Sequence, residues 1–220
     1  MKILGSQQMR VWQGKFGKAY TKRNDLPVGE MEKQAKWMLG KTYKDLFIDL
    51  IGTKRLQNVL EIGCNVGKKL EIMSQVTNAK LYGIEPQQVA VETVHGRLPK
   101  YNVIQGTVYD LPFKDNFFDL VFTSVVLIHI PPKALKLAMS EIARVSKKYI
   151  MGLEYWEKKS TSTVYHGNKE LLWKTDFPRQ YLRYNPELKL VKEMIVPYRK
   201  AAFGKERLTL NCFLLEKSGK

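Results

Sequence analysis

Short apolar runs alternate along the middle of the chain with segments whose apolar residues recur every three to four positions. The runs Asn58-Val59-Leu60-Glu61-Ile62, 80–84, 101–105, 118–124 and 149–153 are short and apolar and predict strands. Between them, 68–75 and 87–95 carry helical spacing. After Pro131-Pro132, Leu135, Ala138, Met139, Ile142 and Val145 mark one face of a longer helix. Strands joined by helices of this length specify a parallel, doubly wound sheet. Further on, 191–198 and 208–215 read as a closing antiparallel pair. Upstream, Met31, Ala35, Met38 and Leu39, then Leu46, Phe47 and Leu50, predict helices interrupted at Gly40. The turn-rich segment 24–29 links them to an aromatic and basic N-terminal stretch. The expected organisation is a helical cap over residues 1–50 and a core over 51–220, with a substrate-recognition insertion at about 155–185.

Composition narrows the setting. With 220 residues and 44% hydrophobic positions, the chain can bury one substantial core. Its longest apolar stretch, 120–130, is broken by Thr123, Ser124 and His129 and falls short of the roughly 20 residues that cross a bilayer. No membrane association is expected, and the start lacks the apolar core of a signal peptide. Two cysteines, Cys64 and Cys212, offer no disulfide framework, which points to the cytoplasm. The net charge is +16, and thirteen of the excess positive charges lie outside residues 59–150. Such flanks could draw in nucleic acid or an anionic small molecule. Lysine nevertheless outnumbers arginine threefold, and arginine is the better base and phosphate reader.

The first strand ends in Gly63-Cys64-Asn65-Val66-Gly67 and turns into a helix, a place where backbone can approach a nucleotide. About 20 residues on, Glu85 follows the second strand, where a carboxylate can accept hydrogen bonds from both hydroxyls of a ribose; Pro86 comes next. A dinucleotide fingerprint would want glycine at position 65. Asn65 stands there, and Glu61 would be a poor neighbour for a pyrophosphate, so a nicotinamide dinucleotide is disfavoured.

Val59-Leu60-Glu61-Ile62-Gly63-Cys64-Asn65-Val66-Gly67 resembles motif I of class I S-adenosylmethionine-dependent methyltransferases. The resemblance implies a Rossmann-like fold: a mostly parallel seven-stranded sheet with an antiparallel last strand and helices on both faces. It also implies S-adenosylmethionine as cofactor. On that pattern Glu61 approaches the ammonium or sulfonium, Gly63, Cys64, Asn65 and Gly67 form the turn, Glu85 and Pro86 border the ribose, and Thr107 and Val108 border the adenine. Many members carry Asp where Thr107 stands. A narrower similarity covers most of the chain. Trp12-Gln13-Gly14-Lys15-Phe16-Gly17 with Tyr20, Arg23 and Asn24, the Asn65 form of motif I, 122–130, Glu154-Tyr155-Trp156, Tyr165-His166-Gly167 and Asp176-Phe177 are similar to methylases associated with pseudaminic acid biosynthesis.

Methyl transfer is an in-line displacement that requires mainly alignment and a route for any acceptor proton. His129, after the fourth strand, and Glu154, after the fifth, are the candidate bases. Thr123 is expected at the cofactor, and Tyr20 and Arg23 at its carboxylate. Tyr155, Tyr165, His166 and Lys174 are expected at the acceptor, and Trp12, Phe16 and Tyr20 in an apolar cluster at the sheet edge. No metal is expected, because the three histidines are dispersed. No Gly-x-Ser-x-Gly elbow occurs, and Thr-Ser-Val-Val replaces the aromatic motif that often grips a flipped base. A small-molecule acceptor, a sugar, amino-sugar or related nitrogen or oxygen nucleophile, is the leading expectation. An RNA or DNA methyltransferase and a non-catalytic S-adenosylmethionine-binding protein stay open beside it.

Overall fold

A computed structural model describes residues 6–165, 167–199 and 208–218. Two short helices, α1 (Ser6–Gln13) and α2 (Lys15–Arg23), precede α3 (Val28–Leu39) and α4 (Tyr43–Ile51). Gly40 ends α3 rather than interrupting one long helix: its φ of 79° is the left-handed conformation that closes helices, and its amide donates to Lys36 O. Thr42 then starts α4 with a capping box, its hydroxyl accepting from the Asp45 amide while Asp45 accepts from the Thr42 amide.

From β1 (Asn58–Ile62) the chain runs through α5 (Lys68–Met73), β2 (Lys80–Glu85), α6 (Gln88–Arg97), β3 (Asn102–Gln105) and β4 (Phe118–Ser124). A 3-10 turn (Leu127–His129), α7 (Pro132–Val145) and β5 (Ser146–Tyr155) follow. The hairpin β6 (Thr161–Tyr165) and β7 (Asn168–Lys174), then α8 (Phe177–Tyr184), lead to β8 (Leu188–Pro197) and β9 (Thr209–Lys217). The seven-stranded sheet has the order β3-β2-β1-β4-β5-β9-β8. Its first five strands are parallel, and β9 runs antiparallel between β5 and β8. The strand order reverses between β1 and β4, and in open α/β sheets ligands collect at the carboxyl ends of strands at such a point.

Burial explains the pattern of residues. Val59, Leu60 and Ile62 of β1 and Leu120, Val121 and Phe122 of β4 are all buried, as both-face coverage demands. α7 lays Leu135, Ala138, Met139 and Ile142 on the sheet, and Phe47 of α4 packs edge-on against Phe122. Strands β5, β8 and β9 outgrow the expected limits, β9 running on to Lys217. β5 continues through Glu154 to Tyr155, held by Glu154↔Asn211 and Tyr155↔Leu210 pairing with β9, and β8 begins at Leu188.

Candidate active site

At the carboxyl end of the sheet lies a cavity of about 630 Å³, within the usual size range of small-molecule sites. Its floor is made by the loops after β1, β2, β3 and β4. Its roof comes from the N-terminal helices, through Met9, Trp12, Tyr20, Met31 and Met38 among others.

The motif turn is shaped for close packing. Gly63 has φ of 67°, and a Cβ there would lie 2.8 Å from Val126 Cγ2. The glycine therefore clears a neighbouring side chain as well as lining the cavity. The Gly63 and Cys64 amides donate to Ile84 O at 2.8 and 3.2 Å, and the Asn65 amide donates to Glu85 Oε2 at 2.9 Å. These amides are spent inside the protein, so no free row of them faces a pyrophosphate. Asn65 itself takes φ of 46°, a conformation asparagine tolerates better than most residues. Its side-chain oxygen accepts from the Thr21 hydroxyl at 2.9 Å, and the Thr21 oxygen accepts from Gln87 Nε2 at 3.0 Å. This chain of bonds fastens α2 to the loops after β1 and β2. Asp25 adds a second tie through Arg97 at 2.8 Å and Lys68 at 3.6 Å.

Two glutamates form the polar floor. Glu85 Oε1 accepts the Gln87 amide at 3.1 Å, and burial raises its pKa to about 7 against the lowering effect of the two amides. Glu61 is pushed well above the usual carboxylate range, chiefly by burial, and its Oε2 has no hydrogen-bond partner. His129 Nε2, Trp12 Nε1 and Gln87 Oε1 are likewise buried and unpartnered, and all four side chains line the cavity. Buried polar groups are normally satisfied, and these four unpartnered atoms belong to side chains that wall the cavity. The donor set suits S-adenosylmethionine: a carboxylate beside the switch point for a ribose, a second carboxylate for an ammonium, and a loop at Gly106, Thr107 and Val108 for a base.

Most expected site residues come together here. Tyr20, Arg23, Glu61, Gly63, Cys64, Asn65, Glu85, Pro86, Thr107, Val108, His129, Tyr155 and Tyr165 all line the cavity, with Arg23 exposed at its rim. His129 donates Nδ1–H to Leu171 O at 2.6 Å and packs between Trp12 and Tyr165, with centroids at 4.6 and 5.1 Å. Burial holds its pKa down to about 4, so the ring is neutral at ordinary pH with Nε2 as acceptor. The expected aromatic cluster forms, since Trp12 meets Phe16 and Tyr20 edge-on, and Phe16 meets Tyr165.

Four expected residues do not reach the cavity. Glu154 turns away from it: its carboxylate accepts the Val126 amide at 3.2 and 3.1 Å and the Ile128 amide at 3.4 Å. Thr123 lies beside that carboxylate and is not a cavity residue. Gly67, with φ of 76°, starts α5 and packs on Val94 and Leu98. Lys174 pairs with Thr161 at the opposite end of the hairpin from Tyr165, about 13 Å along a strand. His166 lies outside the described residues. The structure also brings in residues the sequence reading missed: Lys69, Tyr43, Tyr198, Gln87 and the α3 side chains Met31 and Met38. A cation in the first turn of a helix opposes the helix dipole, and Lys68-Lys69 after the glycine turn carried that signal. Among the described residues no cluster of His, Cys, Asp and Glu could hold a metal ion, and no helix is long and apolar enough to cross a membrane.

Comparison with known proteins agrees with this geometry. Residues 60–149 match the methyltransferase domain family. The chain has the class I methyltransferase fold. It superposes on the Burkholderia thailandensis 1,6-didemethyltoxoflavin-N1-methyltransferase with bound S-adenosylhomocysteine at a TM-score of 0.71. The two are 15% identical, and the match covers 97% of this chain and 90% of the other. The magnesium protoporphyrin IX methyltransferase of Synechocystis, also with bound S-adenosylhomocysteine, gives 0.68 at 14% identity over 96% and 99%. By sequence, a Synechocystis methyltransferase is 33% identical over 91 residues, 41% of this chain and 42% of the relative. A fission yeast (Schizosaccharomyces pombe) methyltransferase is 29% identical over 106 residues, 43% and 37%. The chain thus spans about two fifths of the length of the curated relatives it matches.

Proposed function

We propose that the protein is an S-adenosylmethionine-dependent methyltransferase acting on a small-molecule acceptor. The observation that carries the reading is the convergence of Glu61, Asn65 and Glu85 on one roofed cavity at the sheet's switch point. When bound, the cofactor supplies an electrophilic methyl group on a sulfonium. The chain's own work is to hold and align. Glu85 accepts from the ribose hydroxyls while keeping the Asn65 and Gln87 amides. Gly106, Thr107 and Val108 border the adenine, and the Trp12 and Tyr20 roof excludes water.

Tyr155 and Tyr165, joined by Tyr43 and Tyr198, form the acceptor side. Burial raises all four phenols, so each stays a neutral hydroxyl. Aromatic faces with hydroxyl tips suit a compact ring bearing polar groups, and the similarity to pseudaminic acid-associated methylases supports a sugar or amino-sugar with a nitrogen or oxygen nucleophile. His129 Nε2 is the acceptor of any proton the nucleophile releases, acting in its neutral form. The described helices within residues 1–50 serve as the cap that closes this chamber, and the basic flanks favour an anionic acceptor.

Incubation with methyl-labelled S-adenosylmethionine and fractionated cell extract tests the reading. Label is expected in small metabolites. Label in RNA or DNA instead would replace the acceptor class, and cofactor binding with no transfer to any fraction would leave a non-catalytic binding protein.

A further inference from the structure

Lys69 borders the same cavity as Glu61, and neither charge is neutralised by contact. Glu61 accepts the Leu70 amide, which leaves Oε2 without a partner. Lys69 Nζ lies 3.4 Å from the centre of the Tyr43 ring and 3.3 Å from Met31 Sδ. Neither neighbour is an anion, and among the described residues no salt bridge joins Lys69 to a carboxylate. Burial lowers the lysine to about 8 and raises the glutamate, each restrained by the field of the other. Leaving a buried carboxylate and a half-buried ammonium without an opposite charge in contact is costly, whereas a ligand with complementary charges on adjacent atoms would satisfy both.

An α-amino acid is such a ligand, with ammonium and carboxylate attached to one carbon. We propose that Lys69 binds the carboxylate of the methionine end of S-adenosylmethionine and forms, with Glu61 on the ammonium, a clamp for the zwitterion. This rests on the methyl-donor reading of the cavity. Glu85 sits one strand away on β2, so a nucleoside held there directs its tail toward β1 and the first turn of α5. Arg23, the other cation expected at this carboxylate, is exposed at the rim, where water screens it. Lys68 also borders the cavity but lies 3.6 Å from Asp25, which leaves the half-buried Lys69 as the cavity-lining lysine with no carboxylate in contact among the described residues.

Calorimetric titration with two ligands tests the clamp: S-adenosylmethionine, and 5′-methylthioadenosine, which keeps the nucleoside and lacks the amino acid. Lys69→Met is expected to weaken the first by about tenfold or more and to leave the second within about twofold, since the charge-assisted hydrogen bond to the ligand carboxylate is lost while the nucleoside contacts at Glu85 stay. Unchanged binding of methylthioadenosine also shows that the variant folds. Lys69→Arg should recover part of the lost affinity. Equal weakening of both ligands would make Lys69 structural and overturn the clamp, as would undiminished S-adenosylmethionine binding. Equal affinity of the native protein for the two ligands would overturn the clamp alone and keep the methyl-donor reading. If the native protein bound neither, that reading would fall and the clamp with it.

Discussion

The carboxyl ends of β2 and β5 each carry a buried glutamate that accepts backbone amides, and burial raises both to about 7. At the end of β2, Glu85 takes the Asn65 and Gln87 amides and still borders the cavity. At the end of β5, Glu154 takes those of Val126 and Ile128 and is closed from it. There it pins a turn in which Val125 adopts φ of 59°, a strained conformation for a β-branched residue. Equal depth and equal acidity therefore do not mark a ligand-binding group. The direction in which the strand ends does.

Substitutions can separate the two glutamates. The largest effect is expected from Glu85→Ala, which should weaken S-adenosylmethionine binding roughly a hundredfold, about 3 kcal/mol, by removing two charge-assisted hydrogen bonds. Its urea midpoint should move less than that of Glu154→Ala, because Asn65 and Gln87 border the cavity and water there can replace the lost carboxylate at their amides. That second variant should cost about 2 kcal/mol of stability, because two buried amides lose their acceptor, while the folded fraction binds cofactor almost normally. The comparison breaks if the stability loss belongs to Glu85 and the binding loss to Glu154.

His129 supplies a third contrast. Its folded pKa of about 4 lies below the unfolded value of 6.5, so its contribution is complete above pH 6.5 and is lost as pH falls toward 4. The two raised glutamates act in the opposite sense, favouring the folded state at low pH and losing that advantage as pH rises through about 7. The test is therefore a difference. The stability gap between native protein and His129→Gln should shrink by at most about 2 kcal/mol from pH 7 to 5. A constant gap would mean that the ring is not buried in its neutral form.

The smallest effect concerns ionisation of Glu85. Methylthioadenosine affinity should rise by up to about tenfold between pH 6 and 8 and then level off, because the ligand favours the carboxylate over the acid. In Glu85→Gln the profile should be flat. A native profile that falls over the same range would contradict the placement of the ribose on Glu85.

The core was legible because its signals are local. Short apolar strands, the glycine turn and a carboxylate about 20 residues on are all read along the chain, and Gly63, Asn65 and Glu85 lie where that spacing puts them. Glu154 lies away from its expected place for a geometric reason. A strand ending at Leu153 would leave Glu154 in a loop, but pairing with β9 carries β5 through Tyr155, and alternation then sends Tyr155 to the cavity and Glu154 away from it. The Thr21, Asn65 and Gln87 chain and the meeting of Lys69 with Tyr43 depend on how α2 and α4 dock, which no local pattern encodes.

Isothermal calorimetry of S-adenosylmethionine against native protein and Glu85→Ala tests the central claim most directly. The account predicts one binding site per native chain and a roughly hundredfold loss in the variant. Absence of binding by the native protein, or equal affinity in the two, would contradict it.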